Sequence, residues 1–238
     1  MKRQYHIMED DSGIGVLDKV VSLLDLIATG GRSLPEVVGG TGFPKPTAHR
    51  LLRGLAHHGL VERDGDGRYS LGVRMAEWGA ASRSLTALKS RAQPVLDKLC
   101  AQTGLSAQVY VQSGAGTLCL TTSEPTSGLR DTVPVGSHLT LHAGSAAQVL
   151  LAWQSPDRVG QALAESVFTN ATLSAVRSNG YAVSSGEREP GVASVSAPVW
   201  EMGRVVGAVS VSGPIDLMGR QPGPRYAERG KAAGTELS

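Results

Sequence analysis

Residues 41–72, TGFPKPTAHRLLRGLAHHGLVERDGDGRYSLG, decide how the N-terminal part of this chain folds. Ala48, Leu51, Leu52 and Leu55 recur at i, i+3, i+4 and i+7, which is one side of an α-helix. Pro46, Arg50, Arg53 and His57 recur with the same spacing on the opposite side. Pro44 and Pro46 suit a first helical turn, where the missing N–H would have had no partner. Directly afterwards, Leu60–Arg63 and Arg68–Leu71 flank Asp64-Gly65-Asp66-Gly67, a strong hairpin signal. A helix that buries one face and offers cations on the other fits a DNA groove, and the hairpin behind it reads as a wing.

A basic helix face standing alone is usually only a solvated face, so the neighbouring segments decide between the two readings. Leu17, Val20, Leu24 and Ile27 form another helical stripe upstream. Ser33-Leu34-Pro35-Glu36 reads as an N-cap, a proline near the helix start and a glutamate at the third helical position. Residues 33–38 are therefore a short second helix, and Gly39-Gly40-Thr41-Gly42 the turn into the third. Helix, helix, turn, helix, hairpin is the complete order of a winged helix-turn-helix.

Beyond residue 72 the pattern is helical again, with Met75 and Trp78 early and Leu85, Leu88, Ala92, Val95, Leu96 and Leu99 later. Pro94 should divide it, giving a linker helix to about Ser90 and a second helix from Pro94 to Gln102. Met75 and Trp78 either fill the core or form a dimer contact. From Ser106 the spacing becomes two: Ala107, Val109 and Val111 alternate with Gln108, Tyr110 and Gln112, Gly114-Ala115-Gly116 turns, and Leu118-Cys119-Leu120 starts a second strand. Residues 191–199 and 204–211 form a later pair across Trp200-Glu201-Met202-Gly203. Helices are expected at 145–153, 156–164 and 173–179. Antiparallel strands at both ends with helices between imply an α+β domain.

The bulk numbers suit this plan. The 238 residues are enough for two modest domains, and with 4% aromatics the cores must rest on Ala, Val and Leu. The net charge of +2 is far from a polybasic coat. Residues 1–72 carry nine Lys/Arg against nine Asp/Glu, so DNA binding depends on where the cations sit rather than on their sum. Cys100 and Cys119 have no zinc-ligand spacing, and neither a metal site nor a disulfide framework is expected. The first thirteen residues, MKRQYHIMEDDSG, lack the apolar run of a signal peptide, and no stretch approaches the ~18–20 apolar residues of a membrane span. The expectation is a cytoplasmic, nucleoid-associated protein with no membrane partner and a disordered first dozen residues.

The chain resembles the IclR-type bacterial transcriptional regulators. The resemblance is carried by Gly15-Val16-Leu17-Asp18-Lys19, Thr47-Ala48-His49-Arg50-Leu51-Leu52 and Gly67-Arg68-Tyr69-Ser70-Leu71-Gly72. It continues through Val135-Gly136-Ser137, Leu141-His142-Ala143, Asn179-Gly180-Tyr181, Glu187–Val192 and Ser210–Pro214, spanning about residues 13–216. Segments 128–137 (GLRDTVPVGS) and 186–199 (GEREPGVASVSAPV) look most like an actinobacterial subgroup controlling amino-acid biosynthesis genes, leucine among them. The resemblance implies a GAF-like effector-binding domain after the linker helix, homodimers that pair further into tetramers, and an operator in duplex DNA. The resulting division is a disordered 1–12, a winged helix domain over 13–72, a linker helix over 73–90, an effector domain over 91–218 and a tail over 219–238. The family usually closes with an amphipathic helix, but Gly230 and Gly234 interrupt this tail, so a frayed or short helix is expected.

Two sets of residues carry the chemistry. Lys45, Pro46, Thr47, His49, Arg50 and Arg53 in the third helix, with Arg68 in the wing, are the candidate DNA contacts. Arginine can bind guanine O6 and N7 in bidentate fashion, and helix N-terminal residues reach deepest in such motifs. Lys45 and Thr47 are therefore expected nearer bases, and Arg50, Arg53 and Arg68 nearer phosphates. In the second domain, His142–Ala146 ends in a helix start whose free N–H groups could hold a carboxylate. Ser210 and Ser212 alternate onto one face of a strand, with Ser194 on its neighbour. By resemblance, Gly144, Ser145, Ala146, Ser194, Ser210 and Ser212 line an effector pocket; an apolar wall is expected from Leu141 and Val192. The alternative is that these serines bond neighbouring backbone. Where the family commonly has Gly-Lys-Ala, this chain has Ala147-Gln148-Val149, so helix capping there should differ. Arg130 could pair with a ligand carboxylate, though Asp131 beside it offers a competing salt bridge. The ligand class is a small organic acid or an amino acid.

An enzymatic reading finds no support: there is no G-x-S-x-G elbow, phosphate loop, H-E-x-x-H or carboxylate cluster, and Ser145 and His142 stand three residues apart in a loop. No catalytic residue and no cofactor is expected. The rival to a DNA-binding regulator is a small-molecule sensor acting through protein partners.

Overall fold

The computed structural model describes residues 12–81, 83–114 and 116–238, so the expectation of disorder over residues 1–11 and residue 115 of the expected turn lie outside the described residues. The chain divides into two compact units, residues 1–86 and 87–238.

The first unit runs α1 (Gly15–Ala28), α2 (Leu34–Thr41), α3 (Lys45–His57), β1 (Val61–Arg63), β2 (Tyr69–Leu71) and α4 (Val73–Ala81). Leu23, Ile27, Val37, Ala48, Leu52, Leu55, Val61 and Tyr69 form its core. In α1 the buried positions are Leu23 and Ile27, whereas Leu17, expected inside, is half exposed. Helix α2 is longer than expected because residues 39–41 are helical and only Gly42, at φ +70°, makes the left-handed exit. Gly40 belongs to packing rather than to a turn: a Cβ there would lie 2.6 Å from a methyl of Leu26 on α1. The N-terminus of α2 closes as read, with the Ser33 N–H and hydroxyl each donating to Glu36 Oε2 at 2.7 Å. The wing is a two-stranded antiparallel hairpin, and Tyr69 also exchanges backbone hydrogen bonds with Arg32.

The second unit is a six-stranded antiparallel sheet in the order β5-β4-β3-β8-β7-β6. Its strands are β3 (Ser106–Ser113), β4 (Gly116–Ser123), β5 (His138–Thr140), β6 (Ala182–Ser185), β7 (Val192–Glu201) and β8 (Arg204–Pro214). The short edge strands β5 and β6 were not read from the sequence. Both faces are covered, so alternation in the central strands sorts residues between two cores rather than between core and solvent. Val109, Val195, Ala197, Val209 and Val211 face α5 (Arg83–Thr103) and α10 (Pro222–Leu237). Tyr110, Cys119 and Ala208 face α6 (Ser145–Ala152) and α8 (Asn170–Asn179), with α7 (Pro156–Leu163) packed alongside. A short α9 (Ile215–Met218) follows β8.

Two expectations are corrected here. Helix α5 does not break at Pro94. Leu88 and Ala92 before the proline, and Val95, Leu96 and Leu99 after it, enter the same core, so packing on the sheet overrides the missing backbone hydrogen bond. The C-terminal tail is likewise a full 16-residue helix. Tyr226, Ala227, Gly230, Ala233, Gly234 and Leu237 are its buried face, a stripe of small residues that lets the helix lie close to β7. A Cβ on Gly234 would stand 2.5 Å from the Pro198 carbonyl oxygen.

That close approach predicts that Gly234→Val lowers the free energy of unfolding by about 1–3 kcal/mol through overpacking. Gly160→Ala, in α7 with open space around the new methyl, should raise it by up to about 1 kcal/mol. Urea unfolding of both variants checks this, and a Gly234→Val protein as stable as the parent would contradict the packing described.

Candidate DNA interface and effector pocket

Helix α3 is held by its buried Ala48, Leu52 and Leu55, with Pro44 at its N-cap and Pro46 within its first turn. Fixing that face leaves Lys45, Pro46, His49, Arg50 and Arg53 exposed, with Thr47 half-buried beside them. Among the described residues, Lys45, Arg50 and Arg53 enter no ion pair with a carboxylate.

Arg68 departs from expectation. Its guanidinium donates to the Gly31 carbonyl at 2.7 Å and pairs with Glu36 at 3.2 Å, so it ties the wing to the start of α2 instead of being left free for a phosphate. The sequence placed it correctly in the hairpin but could not show the partner across 32 residues. The other wing cation, Arg63, lies over the Tyr69 ring and reaches the Gly67 carbonyl. Glu36 is held down to about 2, first by the Ser33 N–H and hydroxyl and then by Arg68.

In the second unit, strand alternation and the N-terminus of α6 converge on a narrow pocket. Gly144, Ser145, Ala146, Val192, Ser194, Ser210 and Ser212 all line it. Leu141 does not: it is 3% exposed in the apolar core under α6. The serines bond one another rather than neighbouring backbone. Ser145 Oγ lies 2.6 Å from Ser194 Oγ and 2.7 Å from Ser196 Oγ, Ser196 donates to Ser210 at 3.0 Å, and Ser212 exchanges hydrogen bonds with the Gln108 amide. The pairing of Ser194 with Ser212 and of Ser196 with Ser210 across β7 and β8 sets these hydroxyls side by side.

Arg188 in the pocket lining, and Ser196, Gln108 and Glu187 bonded to lining residues, escaped the sequence reading. Ser196 follows from the alternation that gave Ser194, and Gln108 lies on the face of β3 that alternates with Ala107, Val109 and Val111. Arg188 and Glu187 sit in the segment already singled out, but their roles depend on distant partners. Glu187 accepts from the Gly144 N–H at 2.9 Å and from the Gln148 amide at 3.1 Å, so one of the N–H groups expected to be free for a ligand is taken internally. Gln148, the departure from the family's lysine, is thus part of the cap on α6. Arg188 pairs with Asp131 at 3.4 Å beside the pocket, whereas Arg130 turns away to Glu124 at 3.0 Å. Burial pushes the Tyr110 hydroxyl upward, against the opposing effect of Arg188. His142 pairs with Glu165 rather than with Ser145. Cys119 is buried and its thiol is pushed up to about 12, which leaves it protonated and unreactive near neutrality.

A winged helix unit with a basic, unpaired helix face, joined to an α+β unit with a polar pocket, defines a DNA-binding regulator with an effector domain. Residues 16–65 match the IclR helix-turn-helix domain and residues 81–238 the C-terminal domain of the bacterial transcriptional regulator IclR, and the chain belongs to this family. It is 32% identical over 209 residues to the HTH-type transcriptional regulator BhcR of Paracoccus denitrificans, covering 82% of this chain and 75% of that protein. It is 30% identical to the glycerol operon regulatory protein of Streptomyces coelicolor, covering 81% and 82%. An IclR transcriptional regulator from Alicyclobacillus acidocaldarius shares the fold at a TM-score of 0.79 and 24% identity, over 94% of this chain and 98% of that one. So does an IclR homolog from Microbacterium hydrocarbonoxydans, solved in complex with 4-hydroxybenzoate, at 0.78 and 22% identity, over 93% and 96%. Among the described residues no helix is long and apolar enough to cross a membrane.

Because the folded-state value of Glu36 is depressed, its contribution to stability is present above its ordinary 4.5 and disappears as pH falls towards about 2. The parent should therefore be more stable than Glu36→Gln at pH 7, and that advantage should shrink between pH 4.5 and 2. Urea midpoints measured across this range test it. An advantage that persists undiminished at pH 2 would refute the role given to Glu36.

Proposed function

We propose that this regulator binds a near-palindromic operator as a homodimer, pairing further into tetramers, and controls amino-acid metabolism genes in response to a small organic acid or amino acid. The observation that carries the reading is the outer face of α3, where Lys45, Arg50 and Arg53 are exposed and, among the described residues, free of carboxylate partners. Lys45 and Thr47, at the helix start, are the groups assigned nearer the bases, with Pro46 and His49 beside them, and Arg50 and Arg53 are assigned to phosphates. Arg68 is better suited to fixing the wing than to touching DNA.

Self-association is supported by apolar side chains left outside the core of the first unit: Ile14, Val16, Leu17 and Val21 around α1, and Val73 and Trp78 on α4. In the pocket, the N–H groups of Ser145, Ala146 and Ala147 belong to the first turn of α6 and have no helical partner, which suits a carboxylate. The relative solved with 4-hydroxybenzoate also carries a small carboxylic acid. Ser194, Ser210 and Ser212 supply hydroxyls, and Val192 is the apolar wall. The assignment to amino-acid genes, leucine among them, rests on the resemblance of segments 128–137 and 186–199 to that subgroup. A ligand can change DNA affinity only by binding two arrangements of the protein unequally.

Arg50→Ala should weaken binding to every duplex tested and flatten the log–log salt dependence by about 0.9 for each phosphate that is no longer neutralised. Fluorescence anisotropy with promoter and scrambled duplexes across a salt series measures both. An unchanged affinity and slope would remove Arg50 from the interface.

A further inference from the structure

The second-domain pocket has an unusual charge arrangement. Asp131 lines it with a side chain only 10% exposed, yet among the described residues its carboxylate has one hydrogen-bonding partner, Arg188 Nη2 at 3.4 Å. A carboxylate can accept about four hydrogen bonds, and a nearly buried one is costly to leave with a single long contact. Arg188 is in the complementary position. Its guanidinium carries five N–H donors in a planar fork, is 29% exposed, and also lines the pocket. The Tyr110 hydroxyl faces it from β3. Glu189 is a second carboxylate in the lining, while Glu187 is already engaged by Gly144 and Gln148.

One cation and two anions line the pocket. A simple carboxylate entering it gains Arg188 and the α6 N–H groups but meets Asp131 and Glu189 as like charges. An α-amino acid carries its ammonium and carboxylate on the same carbon, matching a cation and an anion that are themselves neighbours. The aliphatic groups of Leu139, Ala146 and Val192 are left for its side chain.

We infer that Asp131 and Arg188 together make the pocket selective for a zwitterionic α-amino acid over the carboxylic acid of the same skeleton. Arg188 takes the carboxylate, and Asp131 takes the ammonium and thereby fills its unused acceptor sites. This rests on the reading that the pocket holds a small acid, and it adds which acids are refused and by which residue.

Calorimetric titration of the full-length protein tests it, using L-leucine with 4-methylpentanoate and 4-methyl-2-oxopentanoate as its amine-free counterparts, and L-valine with 3-methylbutanoate as its counterpart. At least one amino acid should bind about tenfold or more tightly than its counterpart, the size expected of a charged hydrogen bond in a shielded site. Asp131→Asn should remove that preference by weakening the amino acid while leaving the amine-free acid unchanged or tighter, which also shows that the variant is folded. Arg188→Gln should weaken both classes. If the amine-free acids bind as tightly as the amino acids, or Asp131→Asn keeps the preference, the inference is overturned and the acid pocket stands. If none of the five compounds binds the parent, the inference falls together with the effector reading on which it rests.

Discussion

The burial of one face of α3 is the constraint on which the DNA-binding account depends. Ala48 and Leu52 are fully shielded and Leu55 nearly so, packed against Leu23, Ile27 and Val37. With those three fixed, the 3.6-residue repeat leaves no choice about what stays outside: His49, Arg50 and Arg53 must face solvent. A neutral first domain can then present a cationic surface, because Glu36, Glu62 and Asp64 are engaged within α2 and the wing. Glu36 is the clearest case, since one carboxylate both caps α2 and holds the wing through Arg68.

The second unit applies the same logic to a sheet. With helices on both sides, alternate residues of β7 and β8 serve two different interiors. One parity, Val195, Ala197, Val209 and Val211, builds an apolar core. The other parity carries Ser194, Ser196 and Ser210, whose hydroxyls bond one another and Ser145 at the start of α6, and Ser212, which bonds the Gln108 amide. Small, mutually bonded hydroxyls leave room above them for a ligand. The charged pair of Asp131 and Arg188 comes from loops, as binding groups often do on a rigid scaffold.

Much of this was legible in the sequence where a repeat carried the signal. The apolar stripe of α3, the capping pair Ser33 and Glu36 and the hairpin at 64–67 are local patterns, and each forms at its expected place. Helix α10 was hidden because the middle of its buried face, from Ala227 to Gly234, is glycine and alanine, which contribute close approach rather than hydropathy. Pro94 misled because its penalty is local whereas the packing that offsets it is not. Arg68 and Arg188 share a further difficulty: position in the chain gave their place in the fold, but their partners lie 32 and 57 residues away. Leu141 was expected at the pocket wall, and the turn before α6 carries it into the core beneath.

The central claim is that two copies of α3 enter the major groove of one operator. Hydroxyl-radical footprinting of a bound promoter duplex tests it most directly. The account predicts two protected half-sites of related, inverted sequence with centres about one helical turn, ~10 base pairs, or a multiple of it apart on one face of the duplex. A single asymmetric protected patch, or uniform protection independent of sequence, would contradict it.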